Sequence, residues 1–140
     1  MKDCRDGRLH RPYDRVQRLD KNDRLQQEVD HSVGGIWVMT VEAWEKAGGQ
    51  YEGFTGWGYE DDAFFLACNT ILGPTQRHSG VIRCLWHATD WVWGSAAYQA
   101  NRRTYFLMKA LATVEGELEA FLAGRYEHVL PVEQRRKVAA

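Results

Sequence analysis

Three consecutive carboxylates, Glu60, Asp61 and Asp62, follow the glycine-punctuated run Gly53-Phe54-Thr55-Gly56-Trp57-Gly58-Tyr59. At the start of a helix they would converge near free backbone N–H groups, which keep carboxylates ionised. A carboxylate held that way at the mouth of a cleft can take the proton of a hydroxyl as the hydroxyl attacks an electrophile. The same acids also serve as plain capping, since negative charge in a first turn complements the helix dipole. Capping leaves Gly56-Trp57-Gly58 unexplained, because two glycines around a tryptophan make a costly turn. His87, after the apolar run Val81 to Trp86, can bind a divalent cation or a phosphate through one imidazole nitrogen, or can be an ordinary surface or core histidine. His78 and Asp90 lie nearby at a spacing that matches no tight metal motif, and His10, His31 and His128 carry no signal. Arg102-Arg103 can neutralise a phosphate or form a solvated helix face.

These residues need elements to hold them. Gly34-Gly35 precedes Ile36-Trp37-Val38-Met39, an apolar run that reads as a buried strand. Thr40 suits the N-cap of a helix over Val41 to Ala47, and Gly48-Gly49 supplies its stop. A helix is predicted over Glu60 to Leu72, stopped at Gly73-Pro74, and a strand over Gly80 to Trp86, ending at His87. From Ala97 to about Leu122 the apolar spacing is helical, with Gly116 weakening its middle and Gly124 as a stop. The tail from Glu133 reads as frayed. Residues 1–33 carry 8 Lys/Arg and 7 Asp/Glu with few large apolar side chains, so they read as a charged arm or linker. Within that arm, Asp20 to Val29 is predicted as a short exposed helix. The organisation expected is an arm at 1–33, a core at 34–95 and a C-terminal helical segment at 96–140.

Bulk properties narrow the classes. A chain of 140 residues is long enough for one real core. Its net charge of -1 gives no reason to expect nucleic acid as a partner. No apolar run approaches the ~20 residues of a membrane span, and the first residues lack a signal peptide's apolar stretch. A cytoplasmic location is the expectation. Cys4, Cys68 and Cys84 are widely spaced and odd in number, which speaks against a disulfide framework; Cys68 is expected as a buried thiol. All 6 tryptophans fall between Trp37 and Trp93, either as a dense core or, for one or two, as flat faces for a sugar ring.

The order of these motifs is recognisable. Gly34-Gly35 with its apolar run, then Trp44 to Gly49, then Phe54 to Asp62, then Leu85-Trp86-His87, resembles the C-terminal region of galactosyltransferase-like enzymes. That group includes animal galactosyltransferases, polypeptide N-acetylgalactosaminyltransferases, relatives in glycosyltransferase family 2, and bacterial and phage members with the GT-A fold. The resemblance spans about Gly34 to Trp93, and its most specific part is Trp-Gly-x-Glu-Asp at Trp57 to Asp61. It implies a mixed α/β fold, the acceptor-side, C-terminal half of a GT-A nucleotide-diphospho-sugar transferase with a long C-terminal helix. It further implies that Gly34 and Gly35 let backbone approach the donor sugar, and that Trp57 and Gly58 belong to a mobile loop at the sugar and acceptor site. By the same resemblance Glu60 bonds the donor sugar, Asp61 is the base, Asp62 lies in the substrate site and His87 completes a manganese or magnesium site. The reaction implied is transfer of a hexose from a nucleotide sugar, uridine diphosphate being the commonest nucleotide, to a hydroxyl of a carbohydrate or protein acceptor.

The chain also departs from the family pattern. Tyr59 stands where a small residue is usual, Gln50-Tyr51-Glu52 where Phe-Asp-Glu is common, and Cys84 where many bacterial relatives carry a second histidine. Enzymes of this fold bind the nucleotide on an N-terminal half with an Asp-x-Asp pair at a strand end, and no such pair is present; Asp20 and Asp23 lie in the charged arm. The expectation is therefore half of an active site, with the nucleotide half elsewhere in a longer product or supplied in trans. The competing reading is a non-catalytic carbohydrate-binding remnant, and beyond that a structural domain whose acids only cap a helix.

Overall fold

The computed structural model describes residues 4–88 and 93–124. Asp90, His128 and the tail from Glu133 lie outside them. Among the described residues the fold is mixed α/β, with strands β1 (His10–Arg11), β2 (Arg15–Leu19) and β3 (Leu25–Asp30) before helices α1 (Val41–Lys46) and α2 (Glu60–Ile71). Strands β4 (Gln76–Arg77) and β5 (Val81–Cys84) and helices α3 (Ala96–Leu111) and α4 (Glu117–Leu122) follow.

The charged N-terminal stretch is where the structure departs most from expectation. It is folded chain. β2 and β3 form an antiparallel hairpin with Val16 opposite Val29, in place of the helix expected over 20–29. The alternation Leu25, Gln27, Val29 has the period of a strand, and Asp20 makes the turn by accepting from the N–H groups of Asn22 at 2.8 Å and Arg24 at 3.0 Å. Asp23 adopts a left-handed φ of 59° in the same turn, so both aspartates are spent on hairpin geometry. β2 also pairs in parallel with β5, Val16 beside Ile82, giving the sheet order β3-β2-β5. β1 pairs in parallel with β4, Arg11 beside Arg77.

The run Ile36 to Met39 is a second correction. It makes a single antiparallel bridge, Val38 to His10, and Ile36 is exposed, so no buried strand forms there. Trp37 and Trp44 pack on Phe64, each at 4.8 Å between centroids. Their rings cover the core from outside, which a local apolar run alone does not require.

α2 is the hub. One side of it, Ala63 and Ala67, packs with Met108, Leu118 and Phe121 of α3 and α4. The other side, Phe64 and Cys68, packs with Leu9 and with Ala47 at the end of α1. Burying a side chain such as Phe64 contributes about 2–3 kcal/mol. Cys68 is fully buried, as expected, and burial pushes its thiol up to about 12. Thr40 caps α1 by accepting from the Ala43 N–H at 3.2 Å. The long C-terminal helix is divided: α3 ends at Leu111, and Gly116 takes a φ of 76° before α4. The break folds Leu118 and Phe121 back onto α2, an interaction one straight helix would not reach.

Candidate functional site

The site is built on the first turn of α2. Tyr59 precedes it with a left-handed φ of 71°, and the Glu60 carboxylate folds back to accept from the Gly58 N–H at 2.7 Å. Glu60 thus braces the loop that leads into the helix. The loop is held from the other side by α3. Asn101, fully buried, donates from Nδ2 to the carbonyls of Thr55 and Gly58, both at 3.0 Å, and accepts from the Thr55 N–H at 3.2 Å. Gly58 has a φ of 111°, and a Cβ there would lie 2.8 Å from Tyr98 Cδ2, so only glycine fits.

Trp57 sits in an aromatic group rather than alone. Its ring meets Trp93 edge-on at 4.6 Å and stacks with Tyr98 at 5.9 Å. Tyr59, the bulky departure from the family pattern, stacks with Tyr105 and tilts against Tyr98, each at 5.3 Å. It points to α3 and does not line the cleft described next.

Asp61 faces the opposite way. Its carboxylate lies against the Cα of Gly34, so close that a side chain at position 34 has no room. Gly34, Gly35, Asp61, Cys84 and His87 line one cleft of about 770 Å³, walled on the other side by β2 and Tyr13. That volume falls within the range of small-molecule sites. Burial, with the neighbouring charges of Glu60 and Asp62, pushes the Asp61 carboxyl above the ordinary aspartate range, while Arg11 pulls the other way. Asp62 is likewise raised, by burial first and Glu60 second. It faces the tyrosines of α3: its charge adds to burial in raising Tyr105.

The structure therefore brings together Gly34, Gly35, Asp61 and His87, and places Trp57, Gly58, Glu60 and Asp62 around the loop and the α3 face. His87 follows β5, which ends at Cys84, and is exposed, with Nδ1 3.0 Å from the Ala88 carbonyl. Among the described residues no group of three or more histidine, cysteine, aspartate or glutamate side chains converges as a cation site would. Manganese and magnesium favour about six oxygen-rich ligands, so His87 and its described neighbours do not by themselves fit the implied ion.

Sequence reasoning missed Arg11, Tyr13 and Asn101. All three look unremarkable in the chain; a buried asparagine within the helical run and an Arg-x-Tyr in a charged arm carry no period or motif that marks them.

Residues 16–80 match the family model described as the N-terminal domain of galactosyltransferase. Over that span, a little under half of the chain, the sequence is similar to galactosyltransferase domains. The matched span holds Gly34, Gly35 and the whole run from Trp57 to Asp62, and it begins inside the stretch expected as an arm. His87 lies beyond it. The description names an N-terminal domain, whereas the order of motifs resembles the C-terminal, acceptor-side part of such enzymes. No curated protein and no solved structure matches the chain. Similarity to this family suggests glycosyl transfer in general, with a sugar donor and an acceptor. Among the described residues no helix is long and apolar enough to cross a membrane.

Proposed function

We propose that this chain forms the acceptor-side half of a GT-A glycosyltransferase and transfers a hexose from a nucleotide sugar to a hydroxyl acceptor, with Asp61 as the base. The observation that carries this reading is the cleft in which Asp61 lies against Gly34 beside Gly35 and His87. In the reaction the acceptor oxygen bonds to the anomeric carbon as the bond from that carbon to the diphosphate oxygen breaks. The hydroxyl proton passes to the Asp61 carboxylate. A base works best when its affinity for protons is raised without being blocked, which is the direction burial moves Asp61. The glycine at position 34 lets a sugar ring and the carboxylate share backbone that a side chain would fill. Glu60, braced on Gly58, and Trp57, stacked with Tyr98, fix the loop that leads into the helix carrying Asp61.

The test is release of nucleoside diphosphate, with product mass, from uridine-diphosphate hexoses and a panel of sugar and peptide hydroxyl acceptors. Transfer by the natural chain and a loss of at least ~100-fold in Asp61→Asn are expected. Equal turnover in Asp61→Asn would remove Asp61 from the role of base. Sugar binding without any transfer by the natural chain would identify the carbohydrate-binding remnant instead.

A further inference from the structure

Arg11 is fully buried, which long cationic side chains almost never are unless something grips them. What grips it is the turn that carries Gly34. Arg11 donates to the Ser32 carbonyl and to the Tyr13 hydroxyl, and its Nη2 donates to the Gly34 carbonyl at 2.6 Å. The Tyr13 hydroxyl donates to that same carbonyl at 2.8 Å and accepts from the Ile36 N–H at 3.1 Å. The Tyr13 ring also faces the guanidinium, 4.7 Å from its centroid. Arg77, the register partner of Arg11 on β4, adds longer bonds to the Ser32 and His31 carbonyls at 3.3 and 3.4 Å. Two guanidiniums from neighbouring strands thus hold the carbonyls of one short turn.

Among the described residues Arg11 forms no ion pair, and its Nε has no hydrogen-bond partner. A buried cation with only neutral acceptors is costly, so a nearby negative charge matters to it. That charge is Asp61. Gly34 has Arg11 on its carbonyl and Asp61 against its Cα.

We propose that Arg11 is a positioning residue for Asp61: it fixes where the Gly34 turn meets the carboxylate, and it supplies the buried positive charge that the carboxylate faces. The consequence for turnover rests on the reading of Asp61 as base; the placement itself does not. Glu60 and Asp62, on the same helix as Asp61, oppose its ionisation after burial itself, and Arg11 from β1 favours it. Arg77 on β4 lies beyond Arg11, Tyr13 lies between β1 and β2, and His87 after β5 lines the same cleft.

Carboxyl-carbon and amide NMR on the full chain tests this without any need for activity, the Asp61 signal being assigned by its loss in Asp61→Asn. Arg11→Met keeps the length of the stem and removes the charge. It should move the Asp61 midpoint upward and displace the Gly34 and Gly35 amides. Arg11→Lys keeps the charge but not the fork, so the amides should move while the midpoint shifts less. Should either variant lack a dispersed spectrum, Tyr13→Phe removes one acceptor of the clamp and should still displace the Gly34 and Ile36 amides. A folded Arg11→Met or Arg11→Lys with unchanged Asp61 midpoint and Gly34 amide overturns the proposal, as does a folded Tyr13→Phe with unmoved amides when neither arginine variant folds. If the natural chain transfers sugar, Arg11→Lys should lower kcat more than it alters KM. If it transfers none, the NMR result still stands, so a failed base and a failed clamp are told apart.

Discussion

The role proposed for Asp61 asks for a carboxylate that is ionised yet still basic, and its surroundings act in both directions. Burial and two acidic neighbours raise it; one buried arginine restrains the rise. A raised value means that the folded chain keeps the proton more readily than the unfolded chain does. Stability from this group is then present at low pH and is lost as pH rises through the folded value. Asp61→Asn should accordingly melt no lower than the natural chain at neutral pH, and slightly higher, even as transfer falls. Differential scanning calorimetry at pH 5 and pH 8 checks the sign, the gain being larger at pH 8. In the natural chain the acid limb of kcat/KM should lie above the ordinary aspartate range. Gly34 is tested by the same logic. Gly34→Ala forces the Asp61 carboxylate out of place, and small misplacements of reacting groups cost on the order of 100-fold in rate. Transfer by Gly34→Ala within a few-fold of normal would show that the contact between Gly34 and Asp61 is incidental.

At the scale of elements, the backbone of the loop before α2 is held from α3 by the side chain of Asn101. Asn101 satisfies two carbonyls and one N–H of residues 55–58, and the Gly58 carbonyl among them is buried. Asn101→Ala strands them together and is expected to cost about 2–4 kcal/mol, read as the shift of a urea midpoint. A cost under ~0.5 kcal/mol would mean that the loop holds itself. The sequence made the glycines and the tryptophan of this loop visible but not its keeper, because Asn101 lies more than 40 residues away on α3 and hydrogen bonds of that span leave no local pattern. The helix boundaries fared better for the opposite reason. Thr40, Gly48-Gly49 and Gly73 act on neighbours within one turn, so their signals are local. The stretch expected as a helix over 20–29 is the turn and most of β3: polar residues on both faces hide the alternation of Leu25, Gln27 and Val29, and only pairing with Arg15–Leu19 makes it a strand.

At the scale of the whole molecule, residues 4–13 belong to the core. Leu9 is fully buried against Ala47, Phe64 and Cys68, and β1 bridges to both Val38 and β4. His10 joins the Nε2 of His78 at 3.0 Å on one side and Asp6 at 2.7 Å on the other, tying the first residues to the segment after β4. Removing residues 1–13 should abolish a cooperative unfolding transition, monitored by tryptophan fluorescence in urea. A truncated chain with the natural midpoint would restore the idea of a peripheral arm. What the sequence by itself determined is the chemistry: the Gly-Trp-Gly turn, the carboxylates after it, the paired glycines before it and the helices that flank them. Each is a matter of residue type and short spacing, which backbone conformation and capping enforce locally. Only the tertiary structure decided which of the three acids faces the cleft, since adjacent residues on a helix point about 100° apart and packing chooses among them. It likewise decided that a charged N-terminal stretch supplies strands, and that Arg11 stands behind Gly34, because those depend on contacts between residues far apart in the chain.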